Sequence, residues 1–281
     1  MQIKKVLYWV TIGFLIFIMV ACVGLLCFKW INDAMNEKMT QEQSSLKESY
    51  LAMKETMDSQ ITRPSIPEEP TVPTEPDPTQ PTTEAPELND TMIFEYQALY
   101  ELNNDMVGWL QIPGTIIDYP VVQSPYQANF YLRRNFYKEY ATCGTIYARE
   151  KCDINKPSDN ITLYGHNMGN GTMFADLHKY KDKTFWENNK YVHFDTLTEY
   201  HTYEIFAVFN TTADLTKGFS YHVFDDAADA AEYNKFVSTC KILSFYDTGI
   251  TPQFGEKLIT LSTCDKSIEE GRLVVVARRV V

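Results

Sequence analysis

An uncharged apolar run near the N-terminus limits what this chain can fold into more than any other feature. Residues 6–28 are 23 consecutive residues without a charged side chain. At about 1.5 Å of rise per residue, a helix of that length crosses a hydrocarbon core of roughly 30 Å. Lys4 and Lys5 precede the run, which favours residues 1–5 in the cytoplasm and the remainder outside. The run predicts a single-pass membrane anchor followed by an extracellular part.

A cleaved signal peptide is the competing interpretation of the same run. Small residues that would suit cleavage occur at Ala21 and Gly24. The apolar region of a signal peptide is typically only about 7–15 residues long, whereas this run continues to Phe28. Its length favours the uncleaved anchor.

Composition divides the rest of the chain into three parts. Residues 29–61 are rich in Glu, Lys, Gln, Met and Ser, which predicts a polar helical stalk with a weak apolar heptad. Residues 62–90 hold eight of the 13 prolines, together with threonine and acidic residues, a composition typical of an extended linker. Globular composition begins near residue 91, so residues 91–281 are predicted to form one globular domain.

The apolar pattern within this domain changes repeatedly between short strands and helices. Strands are predicted on either side of Pro113-Gly114 within 107–122, then within 144–148, 160–164 and 191–210, with two more near the C-terminus. Helices are predicted over 92–105, 127–140, 172–189 and 225–243. About eight strands and three or four helices in roughly 190 residues fit a mixed, mainly β domain, built on a β-barrel with peripheral helices.

The charge balance argues against nucleic acid as a partner. The chain has 25 basic and 37 acidic residues, a formal net charge of −12, whereas phosphate binding needs a basic surface. Within the linker, seven acidic residues are balanced by Arg63 alone. The negative charge of the linker therefore carries no information about what the domain binds.

The six cysteines show no metal-binding pattern. Neither a CxxC pair nor the Cys/His spacing of a zinc site occurs, so no metal site is predicted. The sequence does not decide whether Cys143 and Cys152 form a disulfide across a hairpin. If the four domain cysteines formed two disulfides, Cys264 would have no free thiol. Two cysteines, Cys22 and Cys27, lie in the predicted anchor. The other four lie in the domain: Cys143, Cys152, Cys240 and Cys264.

The segment Thr260-Leu261-Ser262-Thr263-Cys264 places a cysteine on a polar strand face. Side chains alternate across a strand, so Thr260, Ser262 and Cys264 share one face, as the wall of a cleft would require. Residues 265–271 are polar and end in glycine, which suits a hairpin to a second strand that starts at Arg272. The hairpin would bring Arg272 back beside Cys264. A solvated strand end is the alternative for this arginine.

A histidine follows another predicted strand in Leu163-Tyr164-Gly165-His166-Asn167. A cysteine, a histidine and an arginine at strand ends are the components of a thiol acyl-transfer site. The thiolate is the nucleophile, and neighbouring positive charge favours it. A histidine can protonate a leaving amine, and an arginine can hydrogen-bond a tetrahedral oxyanion. Cys264, His166 and Arg272 are therefore the predicted catalytic residues.

These motifs resemble those of a sortase, a cysteine transpeptidase of the Gram-positive cell surface. The cysteine motif and the histidine motif occur in the family's order and lie 98 residues apart. The resemblance covers residues 92–281. Class B sortases in particular are similar in segments 107–115, 117–123 and 170–174, and in a helix-bearing insertion at about 222–246.

The resemblance implies an eight-stranded sortase barrel in which Cys264 is the nucleophile, His166 the general acid and base, and Arg272 the oxyanion stabiliser. It implies no cofactor and no need for calcium. The implied partners are a sorting signal similar to Asn-Pro-Gln-Thr-Asn on surface proteins and a peptidoglycan amine, with the membrane contacted by the N-terminal helix. A pilin polymerase with a lysine acceptor, a cell-wall cysteine hydrolase and an inactive anchored binding module are the alternatives.

Residues beside these motifs are candidates for substrate binding. Ser262 shares the cysteine face, and a hydroxyl satisfied within the sheet is its equal alternative. Asp265 either positions an amine acceptor, steadies Arg272 or simply opens the hairpin. The candidate substrate-binding residues are Ser262, Thr263, Asp265, Tyr164 and Asn167, of which Tyr164 and Asn167 flank His166 and could orient it. The remaining histidines, predicted to be surface or core residues, are His178, His193, His201 and His222.

Overall fold

The computed structural model describes residues 2–58, 92–124, 126–214 and 216–280. By its internal contacts the chain divides into two compact units, Met1–Leu46 and Lys47–Val281. The predicted linker, residues 62–90, lies outside the described residues, as do the last three residues of the predicted stalk.

Helix α1 runs without interruption from Gln2 to Asp58. It contains the predicted anchor and nearly all of the predicted stalk. Within the described part of the chain it is the one helix long and apolar enough to cross a membrane, and the segment Ile12–Ser49 reaches a mean hydropathy of 2.5 in its most apolar window. This assignment rests on length and composition, and a signal sequence near an N-terminus meets the same criteria.

Eight strands form one closed barrel, which confirms the predicted fold class. In chain order they are β1 (Met106–Gln111), β2 (Asp118–Val122), β3 (Ile146–Ala148), β4 (Asn160–Tyr164), β5 (Tyr191–Thr196), β6 (Thr202–Thr212), β7 (Leu258–Asp265) and β8 (Gly271–Arg279). Around the barrel the order is β1-β2-β3-β4-β7-β8-β6-β5. Strands β4 and β7 run parallel, and β7 and β8 run antiparallel.

In the described part of the chain, three further α-helices and three 3₁₀ segments accompany the strands. The first α-helix after α1 precedes β1, and the last one lies in the long connection between β6 and β7. The helices are α2 (Phe94–Leu102), α3 (Lys183–Asn188) and α4 (Ala230–Leu243), and the 3₁₀ segments are Phe130–Arg133, Ala175–Lys181 and Tyr221–Val223.

Helix α2 is shorter than the predicted helix over 92–105. Asn103 leaves helical geometry, with φ of −150°. Its buried side-chain amide donates instead to the Tyr131 hydroxyl at 2.9 Å and to the Phe136 carbonyl at 2.8 Å. The tertiary contacts of one asparagine therefore end the helix.

The short helix predicted within 127–140 is confined to one 3₁₀ turn. Only Phe130–Arg133 forms a short 3₁₀ turn, and Arg134 then pairs with Tyr140 in an isolated antiparallel bridge. Asn129 and Lys138 both adopt positive φ, 57° and 67°, a conformation that an α-helix excludes. Residues 126–140 therefore follow a curled loop.

The predicted helix over 172–189 is divided into two segments. The 3₁₀ segment Ala175–Lys181 ends at Asp182, which is extended and begins α3. The Asp182 carboxylate accepts a hydrogen bond from the Thr184 amide at 2.8 Å. This is the capping interaction that favours a new helix start over a continuous helix.

Helix α4 packs one face against the barrel core. Asp229 caps it by accepting hydrogen bonds from the amides of Ala231 and Glu232, each at 2.9 Å, so the predicted helix over 225–243 begins five residues late. The Phe236 ring stacks on Phe224 with ring centroids 4.1 Å apart. The core cluster that α4 joins also contains Tyr221, which is buried. Packing of α4 therefore sets the position of the 3₁₀ turn that precedes it.

Candidate active site

The predicted hairpin between the last two strands is confirmed. Cys264 of β7 lies opposite Arg272 of β8, and Asp265 lies opposite Gly271. A side chain at Gly271 would collide with the Asp265 carbonyl oxygen, so glycine is needed where β8 begins. The short connection places a thiol and a guanidinium on neighbouring strands at one end of the barrel.

The parallel partner of β7 brings the histidine to the same end. Strand β4 ends at Tyr164, which lies opposite Ser262. A Cβ atom at Gly165 would lie 2.5 Å from the Ile146 side chain and 2.7 Å from the Phe174 ring. The chain can therefore turn closely over the core only through a glycine, and His166 follows at once.

The ring of His166 is held by a backbone carbonyl. Its Nε2 atom lies 2.8 Å from the carbonyl oxygen of Leu132. A carbonyl oxygen can only accept, so Nε2 carries a proton in this arrangement. The loop of residues 126–140, which supplies this carbonyl, thus takes part in forming the site.

All three predicted catalytic residues line a cavity of about 300 Å³. Cys264, His166 and Arg272 are each partly exposed. The described hydrogen bonds of Arg272 both come from Nη1, to the carbonyls of Glu270 at 3.2 Å and Gly271 at 3.0 Å. Among the described hydrogen bonds none joins Cys264 to His166; the two side chains line the same cavity.

Three tyrosines and a second histidine in the cavity wall are uncharged at neutral pH. Burial raises the pKa of Tyr147, Tyr164 and Tyr221. Burial also lowers the pKa of His222, and the positive charges of Arg149 and Arg272 lower it further. All four side chains line the cavity, which leaves Arg272 as a full positive charge among neutral hydrogen-bonding groups.

The other domain cysteines have surroundings unlike that of Cys264. Cys143, Cys152 and Cys240 are buried, whereas Cys264 is partly exposed. The question of a bond between Cys143 and Cys152 is thus answered, because neither forms a disulfide in the structure. Burial raises the pKa of Cys152 to about 12 and raises that of Cys240 as well. A buried protonated thiol is a poor nucleophile.

Three of the five candidate substrate-binding residues line the cavity. Ser262 shares a hydrogen bond of 2.6 Å with the hydroxyl of Tyr221, which belongs to a 3₁₀ segment and not to the sheet. The Thr263 hydroxyl donates to the Gly165 carbonyl at 2.8 Å. Tyr164 packs its ring near Tyr147, with centroids 5.3 Å apart.

Asp265 lies away from the cavity lining. Its buried carboxylate accepts hydrogen bonds from Lys181 at 2.5 Å and from the Ser267 hydroxyl at 2.6 Å. Burial by itself would raise the pKa of Asp265, but these hydrogen bonds hold it well below its usual range. This placement favours the alternative in which Asp265 opens the hairpin.

Asn167 also lies outside the cavity lining. Its side-chain amide donates to the backbone carbonyl of Cys264 at 3.1 Å and lies 3.0 Å from Nε2 of His178. The same Nε2 atom is 3.2 Å from the Cys264 carbonyl oxygen. Asn167 therefore touches the backbone of the candidate nucleophile.

Several residues at the site were not among those predicted from sequence. His178 and His222, interpreted as surface or core residues, lie respectively at the Cys264 carbonyl and in the cavity wall. Each is distant in sequence from the residues it joins, and no local motif marks either one. The other unpredicted cavity residues include Asn129, Leu132, Thr145, Tyr147, Ala213 and Tyr221.

Comparisons with known proteins agree with this geometry. The family model of the sortase domain matches residues 110–280. Sortase B of Listeria monocytogenes is 38% identical over 184 residues, which cover 64% of this chain and 72% of the relative. Sortase B of Staphylococcus aureus is 30% identical over 186 residues, 66% of this chain and 74% of the relative.

A solved structure extends the likeness to three dimensions. A Bacillus anthracis protein described as similar to sortase B superimposes with a TM-score of 0.62 at 34% identity, covering 71% of this chain and 88% of that one. Family model, relatives and structure all match the barrel domain that carries the cavity. The chain belongs to the sortase family and is a cysteine transpeptidase of the sortase B type.

Proposed function

We propose that this chain cleaves a C-terminal sorting signal of surface proteins and transfers each protein to a peptidoglycan amine. In this proposal Cys264 is the nucleophile, His166 the general acid and base, and Arg272 the oxyanion stabiliser. The observation that carries it is the register pair of Cys264 with Arg272 at the wall of the cavity that His166 also lines. The signal is proposed to be similar to Asn-Pro-Gln-Thr-Asn.

Acylation begins when the Cys264 thiolate attacks a backbone carbonyl of the signal. A C–S bond forms, and negative charge develops on the carbonyl oxygen, where the free N–H groups of Arg272 can donate to it. The protonated ring of His166 then gives a proton to the leaving amine as the C–N bond breaks. Without that proton the thiolate would leave instead of the amine.

Transfer reverses these roles with a second amine. An acceptor amine loses a proton to the neutral His166 ring and attacks the thioester carbonyl, and the C–S bond breaks to release the thiolate. Since the Leu132 carbonyl holds a proton on Nε2, Nδ1 is the ring nitrogen that gains and loses the exchanged proton. The net result is one amide exchanged for another.

The acceptor separates the proposal from its alternatives. A pilin polymerase would use a lysine side chain, and a cell-wall hydrolase would use water, through the same thioester. The full-length chain in detergent micelles is incubated with an Asn-Pro-Gln-Thr-Asn peptide, alone or with triglycine or a lysine peptide, and analysed by mass spectrometry. An acyl group on Cys264 that passes to triglycine supports wall anchoring.

The other outcomes of that experiment are equally definite. Preference for the lysine peptide would replace wall anchoring with pilin polymerisation. Cleavage at one rate whatever amine is present would indicate a hydrolase. An acyl group on a residue other than Cys264 would overturn the assignment of the nucleophile.

We further propose that α1 anchors the enzyme, with residues 1–5 in the cytoplasm and the domain outside. The length and hydropathy of Ile12–Ser49 support this arrangement, and so do Lys4 and Lys5 before the apolar run. Protease added to intact cells should digest the domain and leave the N-terminus protected. Recovery of a soluble chain without residues 1–28 from the medium would instead show a cleaved signal peptide.

A further inference from the structure

The carbonyl of Cys264 lies where the neighbouring strand has already ended. Strand β4 pairs with β7 as far as Tyr164 opposite Ser262, and the Gly165 amide then donates to the Ser262 carbonyl at 3.2 Å. Carbonyls two residues apart on a strand point to the same edge, so the Cys264 carbonyl faces the β4 side. No strand residue remains there to bond it, although half-buried backbone acceptors normally find a partner.

Two side chains occupy the place of the missing strand. The Asn167 amide donates to the Cys264 carbonyl at 3.1 Å, and Nε2 of His178 lies 3.2 Å from the same oxygen. The amide has two hydrogens, so it can bond both the carbonyl and Nε2 of His178, 3.0 Å away. In that arrangement Nε2 of His178 accepts from the amide and holds it against the carbonyl, rather than bonding the carbonyl itself.

The same asparagine adjoins the candidate acid and base. Asn167 directly follows His166 in the chain, and its backbone forms a bridge with Met173. The His166 carbonyl accepts a hydrogen bond from the Phe174 amide at 2.9 Å. The Asn167 side chain therefore adds a link between the loop that carries the imidazole and the peptide group of the residue that carries the thiol.

We infer that Asn167 and His178 are positioning residues, which hold the peptide group of Cys264 and so set the direction of its thiol toward the bound signal. The inference rests on the proposed roles of Cys264 and His166. It replaces the predicted substrate-binding role of Asn167. A positioning role requires that loss of the bond slows the chemical step and leaves binding of the signal peptide nearly unchanged.

The variant Asn167→Asp tests the amide directly. A carboxylate has nearly the same shape but places an acceptor against the carbonyl of Cys264, so the attraction becomes a repulsion. Displacement of a reacting group by a fraction of an ångström to 1 Å lowers the rate by about tenfold to a hundredfold. We expect a fall of that size in kcat for acylation of the full-length enzyme in detergent, with KM for the signal peptide within about twofold of the wild type.

A matched change provides the control. Asn188 lies on the exposed end of α3, where its amide donates to the Thr184 carbonyl at 2.8 Å. Asn188→Asp removes the same type of hydrogen bond far from the cavity and should leave kcat and KM unchanged. A rise in KM with normal kcat for Asn167→Asp would overturn positioning and favour direct substrate binding.

His178 gives a second test that does not depend on the folding of Asn167→Asp. His178→Gln keeps a side-chain oxygen that can accept from the Asn167 amide, whereas His178→Ala removes the acceptor. We expect kcat to fall severalfold in His178→Ala and to recover in large part in His178→Gln, with equal thermal unfolding midpoints in detergent. Wild-type kcat in both variants would exclude a positioning role for His178.

The same assay separates failure of this inference from failure of the proposed function. Cys264→Ala is measured in parallel for formation of the acyl intermediate. Turnover by Cys264→Ala would refute the proposed nucleophile and with it the inference. An inactive Cys264→Ala beside a fully active Asn167→Asp would refute the positioning role alone.

Discussion

At the scale of single residues, the thiols of the domain differ in exposure. Three of the four domain cysteines are buried, and burial raises the pKa of Cys152 and Cys240. Cys264 is the partly exposed one, and it lies beside a cation on the next strand. Accessible thiols near positive charge are the ones that react, so Cys264 is the domain cysteine expected to act as the nucleophile.

Cys264→Ala and His166→Ala are each expected to abolish transpeptidation. The first variant has no nucleophile, and the second has no group to protonate the leaving amine. Product formation from the signal peptide and triglycine, followed by mass spectrometry, measures both. His193→Ala is the control. His193 of β5 forms a hydrogen bond of 3.1 Å with Thr202 of β6, so the variant enzyme should keep its activity. Wild-type turnover in either test variant would remove the role assigned to that residue.

The guanidinium of Arg272 is expected to act on the transition state rather than on binding. Loss of one oxyanion donor lowers kcat by about a hundredfold to a thousandfold. Arg272→Ala should show a loss of that order, and Arg272→Lys should recover part of it, since lysine keeps the charge without the planar donors. Steady-state kinetics with the signal peptide decide this. A change confined to KM would contradict the oxyanion role.

At the scale of elements, the β7–β8 hairpin carries an ion pair between the buried carboxylate of Asp265 and the exposed Lys181. Burial disfavours the carboxylate of Asp265, yet hydrogen bonds from Lys181 and Ser267 outweigh it and lower its pKa. A carboxylate with a lowered pKa in the folded state adds stability above its unfolded pKa of about 3.9 and loses it as the pH falls through the folded pKa. The contribution is therefore present at neutral pH and fades in acid.

Asp265→Asn is expected to be less stable than the wild type at neutral pH, by about 1–3 kcal/mol. The difference should shrink below about pH 4, where the wild-type carboxylate begins to be protonated in the unfolded chain. Urea unfolding followed by tryptophan fluorescence, at neutral and acid pH, measures it. A difference that stays constant across this range would show that the charge of Asp265 is not its source.

The start of α4 provides a second prediction at this scale. Asp229 accepts hydrogen bonds from two first-turn amides, and loss of such a cap costs about 1 kcal/mol. Asp229→Ala should lower the free energy of unfolding by about that amount, and Asp229→Ser, which can also cap, should restore most of it. Equal stability of Asp229→Ala and the wild type would mean that the core contacts of α4 alone position it.

At the scale of the whole molecule, the barrel domain is expected to function without the N-terminal segments. Removal of residues 1–90 should leave a soluble domain that still acylates Cys264, because the barrel closes on itself and has its own core. Size-exclusion chromatography and the peptide assay test this. A truncated chain that aggregates or stays unfolded would place the domain boundary before residue 91.

Local pattern was enough to predict most strands and to locate the site. The alternation in 260–264 and the polar turn after it predicted the hairpin that the structure shows between Cys264 and Arg272. Strand β4 has the predicted bounds of 160–164. The short helix predicted within 127–140 is confined to one 3₁₀ turn, because its residues bond to distant partners and two adopt positive φ. Helix propensity is a local property of the sequence and does not include contacts with distant residues.

Sequence alone therefore determined the apolar run, the barrel class and the three candidate catalytic residues, since each depends on periodicity or on a compact motif. Tertiary structure decided which further residues meet at Cys264. Its carbonyl is bonded by Asn167, with His178 beside it, because β4 ends before reaching it, and Tyr221, which shares a core cluster with α4, bonds Ser262. Such contacts join residues tens of positions apart, and only closure of the barrel brings them together.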